Sequence, residues 1–209
     1  EGGTGATAYA DAVAAYLAFA LNKQADLATS LCGWEPIAQC PRHLFGRQAI
    51  PMVWDYAEGN PLGSSSGAFM ICLENTIKGL LSATRHLSLS VKNCNASQND
   101  ARKLNGADLI ISTDPPYYDN IGYADLSDFF YVWLRRSLQD VYPDLFATML
   151  VPKASELVAT PYRFGGSKEK AKQFFEEGLK KAFSQMRQAA HPEYPVTVYY
   201  AFNQVEAST

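Results

Sequence analysis

Apolar residues recur at helical spacing in four stretches of the chain and at strand-like density in three, with polar, Gly-rich and Pro-rich segments between them. From Thr4 to about Leu31 an alanine- and leucine-rich run has few breakers. Ala10, Val13, Tyr16, Leu17, Phe19 and Ala20 share one broad face there, which predicts a long helix. Residues 34–56 are aromatic and broken by prolines, and read as loops and short helical turns. Helices are predicted over Ala68 to Ala83, over Ala124 to about Leu138, and over Lys168 to Ala190. In the last of these, Ala171, Phe174, Phe175, Leu179, Ala182, Phe183 and Met186 form an apolar stripe behind the N-cap candidate Ser167. Strands are predicted at Leu87 to Val91, at Ala107 to Thr113, and at Pro195 to Phe202, the last two as buried strands. Strands separated by crossover helices predict an α/β fold with a parallel sheet.

Two connections carry a choice of meaning. Gly59 to Gly67 is small-residue-rich, but Val53 to Glu58 before it is not a buried strand, so it reads as a plain loop and not a phosphate-cradling one. Tyr142 to Gly166 holds Pro143, Pro152 and Pro161 with little periodicity, and reads equally as a cover over a site or a linker along the surface.

The chain has 209 residues, 47% of them hydrophobic, enough for a single domain, 1–209, with a real core. Within it, 1–86 reads as mostly helical and loop, and 87–209 as the α/β part. The formal charge of −3 argues against a free-standing nonspecific nucleic-acid binder, which would carry a basic excess. Lys168, Lys170, Lys172, Lys180 and Lys181 are diluted by Glu169, Glu176 and Glu177, and read as a solvated helix face, with a phosphate-contacting surface as the lesser alternative. Cys32, Cys40, Cys72 and Cys94 form no Cys-x-x-Cys pair, and His43, His86 and His191 are scattered, so no metal site is expected. With no secretory signal and no apolar run of membrane-spanning length, the expectation is reduced thiols in the cytoplasm and no membrane partner. A start at Glu1 and a stop soon after Phe202 are read as a piece of a longer polypeptide, whose remaining part is an expected partner.

The chemistry concentrates after Leu109, Ile110 and Ile111, in Ser112-Thr113-Asp114-Pro115-Pro116-Tyr117-Tyr118-Asp119-Asn120. Asp offers an acceptor, two prolines fix φ and remove two N–H donors, and Tyr offers a flat face. Those parts suit a planar amine. The string Asp114-Pro115-Pro116-Tyr117 resembles the catalytic motif of S-adenosylmethionine-dependent methyltransferases that modify exocyclic amino groups of nucleobases. The longer run from Ser112 to Arg136 resembles a prokaryotic family of adenine-specific DNA methylases, some of which carry a zinc ribbon, as do Pro51 to Glu58, Leu157 to Ala159 and Pro195 to Phe202.

The resemblance implies a partial Rossmann-like methyltransferase fold with additional helices, S-adenosyl-L-methionine as cofactor, and flipped adenine in DNA as substrate. It implies catalytic positions at Asp114, Pro115, Pro116 and Tyr117. Tyr118, Asn120 and Tyr123 are candidates for the substrate pocket, with the alternative that the tyrosines simply cap the core. Asn95, Ala96 or Asp100, in the polar turn before the motif, are candidates for the cofactor's adenine. This sequence departs from the family in lacking a recognisable glycine-rich cofactor loop, an acidic residue for the ribose, and a zinc-ribbon cysteine array. The alternatives are a noncatalytic nucleic-acid or protein-interaction module with a methyltransferase-like fold, and an RNA base amino-methyltransferase.

Overall fold

A computed structural model describes residues 3–47, 49–85, 95–118 and 121–200. The strand expected at Leu87 to Val91, the pocket candidate Asn120, and the Ala201-Phe202 end of the last expected strand lie outside the described residues. The described architecture is mixed α/β, with four α-helices, two two-stranded sheets and two short 3-10 helices. In chain order the elements are α1 (Ala6–Ala25), β1 (Trp34–Glu35), β2 (Cys40–Pro41), α2 (Phe69–Thr84), β3 (Ser112–Thr113), α3 (Tyr123–Leu138), α4 (Lys168–Ala189) and β4 (Thr197–Val198). The 3-10 helices are Ala101–Lys103 and Pro161–Phe164.

The chain forms two compact units that interleave along the sequence, because α3 follows the motif but packs with α1. The first is Glu1–Cys94 with Tyr123–Pro152, and the second is Asn95–Gly122 with Lys153–Thr209.

In the first unit α1 is shorter than its pattern predicts. It ends at Ala25, and both oxygens of the next side chain, Asp26, turn away to residues 43 and 44. Asp26 accepts the Leu44 N–H at 3.1 Å and bonds Nδ1 of His43. The buried face also differs from expectation. Ala20 of the expected face is fully buried, but Ala15 and Ala18 pack against Leu138, with Ala14, Leu134, Val141 and Phe146 around them, while Val13, Tyr16, Leu17 and Phe19 are exposed. A helix apolar all round carries no periodic signal for its buried face, and small alanines let the neighbouring helices approach.

Residues 34–41 form an antiparallel β1–β2 pair instead of helical turns, with Trp34 opposite Pro41 and Glu35 opposite Cys40. The Arg42 side chain closes back on Glu35 at 2.8 Å. Gly59 to Gly67 is a loop leading into α2. The ends of α3 carry Asp125 early and Arg135 and Arg136 late, the order the helix dipole favours. Asp128 and Arg135 also hold the following chain, by Val151 N–H to Asp128 (2.9 Å) and Arg135 Nε to the Phe146 carbonyl (3.2 Å). Cys32 and Cys72 are buried free thiols, and burial pushes both up in pKa.

The second unit is built on α4. Ser167 caps it by accepting the Lys170 N–H at 3.2 Å, as its position predicts. Ala171, Phe175, Ala182 and Met186 are buried, together with Gly178 and Ala189. Its core joins Ala159, Ala171 and Phe175, flanked by Leu157, Phe164 and Leu179. β3 and β4 pair in parallel, Ser112 with Thr197 and Thr113 with Val198, and a parallel bridge joins Leu109 to Ala190. Both strands are less buried than their apolar sequences predict. Ile110 is 70% exposed, and residues 195–200 are all exposed. The carbonyls of Ile111 and Thr113 accept from Thr197 and Tyr199, that of Leu109 accepts from His191, and among the described residues no strand lies on the other edge of β3. Among the described residues no helix is long and apolar enough to cross a membrane.

Candidate functional site

Asp114 is the first residue beyond β3, so the ladder fixes where the motif begins. The N–H groups of Thr197 and Tyr199 donate to the carbonyls of Ile111 (3.0 Å) and Thr113 (2.8 Å). Farther back, Leu109 N–H donates to Ala189 and accepts through its carbonyl from His191, each at 2.9 Å. The backbone is therefore held up to the residue before the acid. Beyond it, two prolines restrict φ. Pro115 is buried, whereas Asp114 and Pro116 are exposed, so a fixed backbone presents the carboxylate to solvent.

Tyr117 and Tyr118 are held in different ways. The Tyr117 ring meets the Tyr200 ring in a T-shaped contact, with centroids 5.1 Å apart and planes at 80°. The Tyr118 ring meets Phe175 of α4 at 5.3 Å and 87°, and its carbonyl accepts the Ala159 N–H at 2.9 Å. Tyr118 is thus tied to the α4 core by both ring and backbone, in line with the core-capping alternative. Tyr123 lies at the start of α3 in the first unit and is exposed.

The loop that supplies Ala159 is braced by two arginines. Arg163 pairs with Glu156 at 2.8 Å and donates to the Lys153 carbonyl at 3.2 Å, both side chains being largely buried. Arg102 reaches the Ser155 carbonyl at 3.3 Å. Val158 and Ala159 are buried beneath. This segment meets the chain just after the motif through Ala159, and the next turn ends at Gly165, whose φ of 63° suits the residue that closes a 3-10 helix.

Of the residues expected to hold the cofactor, Asp100 is committed to a contact within its own turn. Asp100 caps the 3-10 helix Ala101–Lys103 through the Arg102 N–H, and both of its oxygens are engaged by Arg102, at 2.7 Å to Nη2 and 2.9 Å to Nε. Those bonds hold its carboxyl at a pKa of about 2. Asn95 and Ala96 are exposed. Among the described residues no group of three or more His, Cys, Asp or Glu is placed to hold a metal.

Sequence reasoning gave Tyr200, Ala159 and Phe175 no role at the site. The paired Tyr199-Tyr200 at the end of an apolar run was a visible signal, but which ring reaches the motif depends on register, which one strand alone does not carry. No protein-family model, curated protein or solved structure matches this chain.

Proposed function

We propose that this chain carries the amine-holding site of an S-adenosylmethionine-dependent methyltransferase of Rossmann-like fold that acts on an exocyclic amino group of a nucleobase, N6 of adenine in DNA. The observation that supports it is the position of Asp114-Pro115-Pro116-Tyr117 directly after the carboxyl end of β3, in a parallel pair with β4. Open α/β sheets bind ligands outside the carboxyl ends of their strands.

The lone pair of an aromatic amine is delocalised into its ring, so the nitrogen is a poor nucleophile. Acceptors on both N–H bonds favour the pyramidal, more nucleophilic form. In this reading the Asp114 carboxylate takes one N–H and the Pro115 carbonyl the other, while Tyr117 stacks on the ring. Both prolines limit the backbone motion that would move the Pro115 carbonyl. A rigid acceptor pair acts by positioning and electrostatic preorganisation. S-adenosylmethionine supplies the methyl group, and a duplex base reaches the site by flipping out of the stack.

The engagement of both Asp100 oxygens by Arg102 favours a second reading, a noncatalytic nucleic-acid-binding module. One experiment separates them. The 209-residue chain is incubated with adenine-containing duplex and methyl-labelled S-adenosylmethionine, and N6-methyladenine is quantified after digestion. The enzyme reading expects labelled adenine, reduced on the order of 10²-fold or more in Asp114→Ala, as for loss of a preorganised polar group. DNA binding with no label in the native chain favours the module. Label unaffected by Asp114→Ala refutes the site.

A further inference from the structure

We infer that Tyr200 is a positioning residue for Tyr117, fixing the plane of its ring before a nucleobase arrives. The inference rests on the base-binding reading given above and adds a residue that the motif does not contain.

Pro115 and Pro116 restrict the backbone that leads to Tyr117, and the plane of its ring is set by its side-chain rotamer. A stacking platform is useful only if its plane is set in advance, because ordering it at the moment of binding subtracts from affinity. Tyr200 is placed to set it. Its neighbour Tyr199 donates its N–H to the Thr113 carbonyl at 2.8 Å, and Thr197 donates to Ile111 at 3.0 Å, so the end of β4 is registered against the strand that delivers the motif. From that anchored position the Tyr200 ring lies nearly perpendicular to Tyr117, at 5.1 Å and 80°. Edge-to-face geometry is attractive through the ring quadrupoles and weakens when either ring turns. Tyr200 itself is 44% exposed, so its ring does not serve chiefly to fill a core. Tyr118 is tied separately to Phe175 and Ala159 and does not share the contact with Tyr200. The T-shaped contact uses the rings, so the Tyr200 hydroxyl is not required.

The test uses the 209-residue chain and a duplex oligonucleotide with 2-aminopurine placed opposite an abasic site, where it is unpaired and flips at little cost. Affinity and the quenching of 2-aminopurine by stacking are read together for the native chain, Tyr117→Leu, Tyr200→Leu, Tyr200→Phe and the double Leu variant. Tyr200→Leu is expected to weaken binding roughly two- to tenfold, the worth of one aromatic pair, and to reduce quenching. Tyr200→Phe restores both. In the Tyr117→Leu background, Tyr200→Leu adds nothing, because the effect of Tyr200 passes through Tyr117. Additive losses would mean that Tyr200 touches the base itself, and would overturn the positioning role. So would full binding by Tyr200→Leu, or failure of Tyr200→Phe to rescue; if Tyr117→Leu is still defective, the base site itself stands. If the native chain neither binds nor quenches, or Tyr117→Leu behaves as native, the base-site reading falls and the inference with it.

Discussion

Gly178→Ala tests how the segment beside the motif is supported, and it sets two opposing effects against each other. Ala is favoured over Gly in a helix interior by about 0.8–1 kcal/mol, so an open site would be stabilised. Gly178 is buried on α4 beneath Leu157, and an added Cβ would lie 3.0 Å from Leu157 Cδ1, 3.2 Å from Cγ, and closer still to Cδ2. Overpacking of this kind costs typically about 1–3 kcal/mol. The two ranges leave a net destabilisation of about 0–2 kcal/mol, centred near 1. Leu157 has a flexible end, but it packs against the cluster of Ala159, Ala171 and Phe175, so displacing it disturbs the loop. The Ala159 N–H, which bonds the Tyr118 carbonyl at 2.9 Å, reports that disturbance. Its amide exchange should quicken by about fivefold in Gly178→Ala, the equivalent of about 1 kcal/mol. Leu157→Ala in the Gly178→Ala background should cost less than the two single changes summed, because it removes the clashing methyls. Slower exchange at Ala159 in Gly178→Ala, with the helix-propensity gain intact, would refute close packing of Leu157 on α4.

Two further outcomes follow from polar contacts. Ser167→Ala removes the acceptor for the Lys170 N–H and should destabilise the first turn of α4 by about 1 kcal/mol, while Ser167→Asp keeps the cap; exchange of the Lys170 amide measures both. Asp100 is held at a pKa of about 2 by Arg102, below its usual 3.8, so its contribution to stability is fully present above about pH 4 and is lost as pH falls through about 2. Arg102→Gln should move the Asp100 titration, followed by carboxyl-carbon NMR, back toward 3.8, and titration staying near 2 would assign the depression to another group.

The elements legible in the sequence were those whose patterns are local. α4 has a clean stripe and a cap at Ser167, and α3 has its charge order and aromatic repeat, so both appear within a residue or so of their predicted limits. The parallel pairing of the strand before the motif with the last apolar run was also legible, because the helix-containing connection between them suits a parallel crossover. The buried face of α1 was not legible, since alanines and large apolar residues surround the whole helix and only the partner selects Ala15 and Ala18. β1 and β2, two residues each, are too short to show alternation. The exposure of Ile110 and of residues 195–200 is a property of what covers a strand, and their apolar sequence describes only what the strand could accept.

The candidate site divides along the same line. Asp114, the prolines and Tyr117 announce their chemistry by residue type, and the order of the four is itself the signal. What makes an acceptor site effective is the rigidity behind it, and that support comes from residues distant in the chain: Thr197 and Tyr199 through the ladder, Ala159 through Tyr118, Phe175 and Tyr200 through their rings. An exposed carboxylate on a mobile turn would spend binding free energy on ordering itself. Here the residue before Asp114 is hydrogen-bonded into the ladder, Pro115 after it is buried, and Tyr118 is anchored at ring and carbonyl. The concentration of support around an acid left open to solvent is the ground on which the binding role is proposed.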